Sequence, residues 1–325
     1  MYRYVFAVND TAYCVWEHDL PERNERFLRH LDTGYLAYVV ERHVEALDGT
    51  ENLRAAVAVR SAYFHGLETL FSLLGCLAQA PGCVAGWLSK CPTRALTQLV
   101  EGLAQGKPVL TQRGRQRISL DDLSAIVHAH AWQAESPGGA TAARFAALWR
   151  RLAADFANES FRQEHNSIKH GFRVAAGGFT LRLGLEPSYG VRPPEDEFHT
   201  IGHSPHGTTF YVPEAIPGLP NGSGHHFRIR RTSLNWRAEA MVQCLQLLAW
   251  SVNNVVGELR ILNGVDATTV QFQRPEDPAV FEAPWRWSTG VFGGNLDLVI
   301  DQQEVEPVSQ GALRAELEGR APSSV

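Results

Sequence analysis

The stretch from Asn52 to Ala78 places Leu53, Val57, Phe64, Leu67, Leu70, Phe71, Leu74 and Leu77 at helical spacing, and Pro81 with Gly82 ends it. A stripe this broad and this long cannot stay against water. A second such segment, Leu234 to Leu262, aligns Met241, Leu245, Leu248, Val252, Val255 and Leu259 along one side and stops at Asn263 and Gly264. Two long helices with wide apolar faces must bury them on other helices, so a helical bundle is expected. Shorter amphipathic segments supply the partners: 32 to 47, Thr93 to Gln105, Ala140 to Phe156 and Phe161 to His170. Ser119 with Asp122 reads as a capping box that opens one more helix.

The period changes at Gly171. Phe179, Leu181, Leu183 and Leu185 alternate with Thr180, Arg182 and Gly184, and Gly177-Gly178 reads as a hairpin turn joining them to Phe172–Ala176. Thr208 to Val212 and His226 to Arg231 read as further strands, and Ser233 as the cap of the second long helix. The expected fold class is α+β, mainly an α-helical bundle with a β-rich insertion and short C-terminal strands. The expected boundaries are 30–171 plus 233–264 for the bundle, 172–232 for the insertion, 265–302 for short strands, and 303–325 for a mobile tail.

With 44% hydrophobic residues the chain can fill a core, and a net charge of −5 excludes coating nucleic acid by bulk charge. Five cysteines, odd in number and without a CxxC pair, suit reduced thiols in a cytoplasmic protein. No segment approaches the roughly 20 apolar residues of a spanning helix, so no membrane partner is expected. GxGxxG, GxxxxGK[ST] and HExxH are absent, and no cofactor is expected. His199, His203, His206, His225 and His226 crowd a loop-rich region where a metal-dependent hydrolase is a minor alternative, but the segment reads better as solvated loop, and no metal site is expected. The basic clusters Arg228, Arg230, Arg231 and Lys107, Arg113, Arg115, Arg117 read as solvated faces.

The segment Phe161-Arg162-Gln163-Glu164-His165-Asn166-Ser167-Ile168-Lys169-His170-Gly171 carries the most chemistry. On a helix Arg162, Asn166 and His170 step by four and share one face, whereas Phe161, Glu164 or His165, and Ile168 occupy another. Histidine can move a proton near neutral pH and arginine can stabilise charge on phosphoryl oxygens, so the first face suits phosphodiester chemistry without a metal. On the first long helix Ser61, His65, Glu68 and Ser72 likewise align on one polar face.

The ending Asn-Ser-Ile-Lys-His-Gly, with Arg-Ser-Ala-Tyr-Phe-His-Gly-Leu-Glu-Thr-Leu on the earlier helix, resembles the HEPN superfamily of small helical bundles. Many members are metal-independent endoribonucleases of toxin, phage-defence or RNA-processing systems, in which two protomers pair so that both motifs line one cleft. Others are inactive dimerisation or binding modules. The likeness covers about residues 30 to 171 plus 234 to 262. It implies RNA as a partner, a homodimer, His170 as acid or base, Asn166 as an orienting group, and Arg162 or Arg60 as the phosphate contact. Lys169, Arg60, His65 and Glu68 would bind beside them. With His170 and Asn166 so matched, His165 stands where the family carries arginine. The loose family spacing of arginine and then histidine occurs at Arg23 with His30, Arg60 with His65 and Arg192 with His199, about as often as chance gives, and of these only Arg60 and His65 lie inside the long helix. The alternative is a non-catalytic bundle that serves as an interaction module.

Overall fold

The computed structural model describes residues 1–112, 116–132, 139–216, 225–296 and 305–319. The chain is α+β and divides into two compact units, 1–166 with 236–289, and 167–235 with 290–325. The first unit holds most of the expected bundle.

Its amino terminus is a hairpin that lies ahead of the expected bundle. β1 (Tyr2–Val8) pairs antiparallel with β2 (Thr11–Glu17) from Tyr2↔Glu17 to Val8↔Thr11. Asn9 takes φ 51° in the two-residue turn, the left-handed conformation that asparagine tolerates. Phe6 and Val8 are buried.

α1 (Leu20–His30) and α2 (Tyr35–His43) lead into α3 (Asn52–Gln79), whose inner face buries Leu67, Leu70, Phe71 and Leu74. α3 packs most extensively on α9 (Ala238–Leu262), which buries Leu245, Leu248, Val255 and Leu259. Each such side chain contributes about 1.5–3 kcal/mol on burial, so this pair dominates the core. α9 begins four residues later than the periodicity suggests. Leu234 and Asn235 belong to a strand, and Arg237 rather than Ser233 occupies the cap position. α4 (Val84–Lys90) folds back on α3 because Gly75 has no side chain. A Cβ there would lie 2.5 Å from the indole of Trp87.

α5 (Thr93–Ala104) is followed by the two-residue strands β3 (Val109–Leu110) and β4 (Arg117–Ile118). Arg113 and Arg115 of the basic cluster lie outside the described residues. α6 (Leu120–Val127) opens with the expected capping box: Ser119 Oγ accepts from Asp122 N, and the Asp122 carboxylate accepts from Ser119 N. α7 (Ala140–Ala157) buries Phe145, Trp149 and Leu152, and Trp149 Nε1 donates to Ser251 Oγ of α9 at 3.0 Å. α8 (Glu159–Lys169) ends at Gly171, whose φ of 104° no ordinary side chain adopts easily. The region after α9, read as short strands around Val270, instead forms 3₁₀ turns at Ala267–Thr269, Pro278–Phe281 and Ala283–Arg286, in keeping with prolines at 278 and 284.

The second unit carries a four-stranded antiparallel sheet. Its members are β5 (Val174–Ala176), β8 (Gly207–Ala215), β9 (Phe227–Asn235) and β10 (Gly293–Leu296), in the order β10-β9-β8-β5. β6 (Thr180–Leu183) and β7 (His199–His203) form a separate pair. The hairpin expected at Gly177-Gly178 is therefore absent: β5 pairs with β8 and β6 with β7. Gly178 makes the crossing possible, because a Cβ there would strike the Ser204 carbonyl oxygen. Asn235 Oδ1 accepts from Phe179 N and its amide donates to Phe179 O, holding that segment beside the end of β9. Inside the expected tail lies α10 (Gln310–Leu317), capped by Ser309. The expected strand at 296–300 falls mostly outside the described residues.

Candidate functional site

α3 and α8 bring the two polar helix faces of the first unit together. The two faces of α8 sort as the spacing requires: Arg162 is half-buried and Asn166 and His170 are exposed, while Glu164, His165 and Ile168 are buried. What the inner face does was not readable from the spacing.

Glu164 and Arg60 form an ion pair with both side chains at 0% exposure. Glu164 Oε2 accepts from Arg60 Nη2 at 2.6 Å and Nε at 3.1 Å, and Oε1 accepts from Trp236 Nε1 at 3.1 Å. Arg60 Nη1 donates to Met241 Sδ at 3.1 Å. The guanidinium lies 4.3 Å from the ring centre of Phe161 and 4.6 Å from that of Phe64, where ring quadrupoles favour a cation. This corrects the expected role of Arg60: a guanidinium without solvent exposure and already held by a carboxylate does not meet a dissolved phosphate. Its spacing to His65 fits the motif, but its phase on α3 points it into the core.

Directly beyond this pair the chemistry reaches the surface. His165 stacks on Phe64 with ring centres 4.9 Å apart and meets exposed His65 edge-on at 5.7 Å. Glu68 Oε1 stands 3.8 Å from His165 Nδ1. A cavity of about 60 Å³ opens here, its polar lining drawn from Glu68, Asp155, Arg162, His165 and Asn166. Below it Tyr63 donates to Asp155 Oδ2 at 2.5 Å. Burial pushes the Asp155 carboxyl up from its ordinary value, against the pull of Tyr63 and Arg60. Burial first, and the Asp155 charge second, hold the Tyr63 phenol well above its usual range.

The structure places His65, Glu68, Arg162 and Asn166 near His165, with Glu164 behind them. Arg162 is engaged by Glu159 and, at 3.4 Å, by Glu101, so its charge is largely answered within the protein. Lys169 and His170 belong to the second unit and are exposed. The missed residue with chemistry, His165, carried a signal: it falls on the apolar face of α8, one position from Glu164, where two ionisable groups need partners.

The histidine-rich segment does not converge. His203 Nδ1 pairs with Thr180 Oγ1 at 2.8 Å, His206 is buried, and His225 Nε2 faces the Val308 carbonyl at 3.0 Å. Among the described residues no group of three or more His, Cys, Asp or Glu is placed to hold a metal ion. This overturns the arrangement required for metal-dependent hydrolysis at His199, His203 and His206. Arg228 and Arg230 are only partly exposed: both close on Glu214, at 2.5 and 2.6 Å. Among the described residues no single helix is long and apolar enough to cross a membrane.

Comparison with known proteins brings no match: no family model, no curated protein and no solved structure matches the chain.

Proposed function

We propose that the chain is a HEPN-like protein that acts on RNA and cleaves it without a metal, using His65 and His165 as the acid–base pair. One observation carries this reading: two imidazoles from different helices meet at 5.7 Å, one exposed and the other, on the lining of a cavity, fixed by an aromatic stack and a carboxylate. General acid–base catalysis needs two proton carriers on either side of a reacting phosphorus. His65 takes the proton from a ribose 2′-hydroxyl as its oxygen attacks phosphorus. His165 gives a proton to the departing 5′-oxygen, leaving a 2′,3′-cyclic phosphate and a 5′-hydroxyl. Glu68 offers the imidazolium of His165 a countercharge, and Asn166 orients a phosphoryl oxygen. His170, first in line by the family resemblance, takes no part in this scheme, and Arg60 supports it from inside by fixing α8 to α3. Free thiols at Cys14, Cys76, Cys83, Cys91 and Cys244 support a reducing, cytoplasmic setting.

The test is incubation of purified protein with end-labelled single-stranded RNA in excess EDTA and in magnesium. Equal cleavage in both buffers, leaving cyclic phosphate ends, is expected. No cleavage, or cleavage only with magnesium, refutes the mechanism.

A second reading, a non-catalytic interaction module, is favoured by the outer face of β8 and β9. Tyr211 lies opposite Arg231, Pro213 opposite Ile229 and Ala215 opposite Phe227. Tyr211, Phe227 and Ile229 are exposed. Apolar cross-strand ladders facing water mark association surfaces. A protein that remains monomeric at high concentration and retains no protein partner would eliminate it.

A further inference from the structure

Glu68 has a second outlook. Besides flanking His165, it lines a separate cavity of about 310 Å³ in the same unit, within the lower part of the range of small-molecule sites, about 300–1,000 Å³. Leu73, Leu88, Val252 and Val256 make its walls apolar. The polar groups on its lining are carboxylates, Asp32 and Glu68, and hydroxyls, Thr33, Thr69 and Ser72. Among the described residues no lysine, arginine or histidine lines it, so the cavity repels a phosphate and suits an apolar ring that carries N–H donors. Four of these polar groups, Glu68 included, have partners within the protein. Asp32 Oδ1 accepts from Gly34 N, Thr33 Oγ1 donates to Asn253 Oδ1, and Thr69 Oγ1 donates to the His65 carbonyl. Glu68 is the acceptor that also reaches the imidazole pair.

The geometry points to a nucleobase subsite for guanine, read by Glu68 on its Watson–Crick edge. This rests on the RNA-cleaving reading and gives it a sequence preference. Guanine is the base whose edge presents two adjacent donors, N1–H and the N2 amino group, which one carboxylate accepts side by side. Adenine and cytosine set an acceptor nitrogen beside their amino group, and uracil flanks its single N–H with two carbonyls. Each of these turns a lone pair toward the carboxylate. Bases taken out of a stack are gripped in this way, by edge hydrogen bonds between apolar walls. The carboxylate flanking His165 would then seat the base while the imidazoles act on its phosphate.

The test is binding of nucleosides to the full-length protein by calorimetry, with guanosine, inosine, adenosine, cytidine and uridine as separate probes, and n-butylammonium as a plain cation. Guanosine should bind most tightly. Inosine, which lacks the N2 amino group, should lose about 5- to 150-fold, the discrimination of one bidentate contact. Glu68→Gln should erase the preference. Ser72→Leu, at a half-buried position on the cavity wall, should block binding without touching the imidazoles. His65→Ala should abolish cleavage and leave guanosine binding intact. Cleavage in EDTA with no guanine preference and no guanosine binding sinks the subsite but leaves the nuclease standing. Guanosine binding by a protein that cuts no RNA sinks the nuclease and keeps the subsite. Tight binding of n-butylammonium with none of guanosine overturns the assignment to a base.

Discussion

Replacing Arg60 with methionine would show whether this arginine is a structural group or a ligand contact. In the native protein Glu164 accepts two hydrogen bonds from Arg60 and one from Trp236, with both members of the ion pair fully buried. Arg60→Met removes the two from Arg60 and leaves a buried carboxylate without its countercharge. Breaking a buried pair from one side costs about 3–5 kcal/mol. At about 2–4 °C per kcal/mol for a unit of this size, the melting temperature should fall by roughly 6–20 °C. Glu164→Gln should cost less, because the amide oxygen still accepts from Arg60 or Trp236, although the guanidinium loses its countercharge. The double variant Arg60→Met with Glu164→Leu should recover most of the loss, since apolar replacement of a whole buried pair is often neutral or stabilising. The assay is urea unfolding of the native protein, Arg60→Met, Glu164→Leu and the double variant as a double-mutant cycle, with Glu164→Gln and RNA binding measured beside it. An Arg60→Met protein of native stability that has lost RNA binding would refute the structural assignment and return Arg60 to the phosphate.

Three further outcomes follow from the packing. Burial raises the Glu258 carboxyl to about 7 from its ordinary 4.5, and the side chain is almost fully enclosed. A carboxyl with a raised folded pKa adds no penalty below pH 4.5, costs progressively more from there to about pH 7, and costs a constant amount above. Glu258→Gln should therefore stabilise the protein by up to about 3 kcal/mol above pH 7 and by nothing at pH 4, in urea melts at the two pH values. Gly75→Ala forces a Cβ to within 2.5 Å of the Trp87 ring and should cost about 1–3 kcal/mol in the same assay, with a change in tryptophan emission; an unchanged protein would contradict the close α3–α4 approach. Ser119→Ala removes the cap that accepts from Asp122 N and should lower stability by about 1 kcal/mol.

The long helices were legible because periodicity and stop residues are local. α3, α5 and α7 begin at the expected residue, and the Ser119–Asp122 box is where the spacing put it. Strand pairing was less legible because its partners are distant: Phe210 stands opposite Val174 and Gly293 opposite Leu234, pairings set by the tertiary fold rather than by neighbouring residues. The hairpin at Tyr2–Glu17 did carry a local signal, the Asn9-Asp10 turn, but its alternation is hidden because apolar Val5 and Trp16 also occupy the exposed side. Within the site, the polar face of α3 was readable from spacing alone. The Arg60–Glu164 pair was not, because its members lie 104 residues apart and a buried charge looks like any other charge until its partner is known. A similar distance hid the meeting of His165 with His65 and drew attention to the outward face of α8.

The central claim, that His65 and His165 together move the protons, is tested most directly by the cleavage rate of a labelled single-stranded RNA in EDTA with four proteins: native, His65→Ala, His165→Gln and His170→Ala. The account predicts a loss of about 10²- to 10⁴-fold in each of the first two variants and native activity in the third. Full activity without either imidazole, or its disappearance with His170 alone, would contradict it.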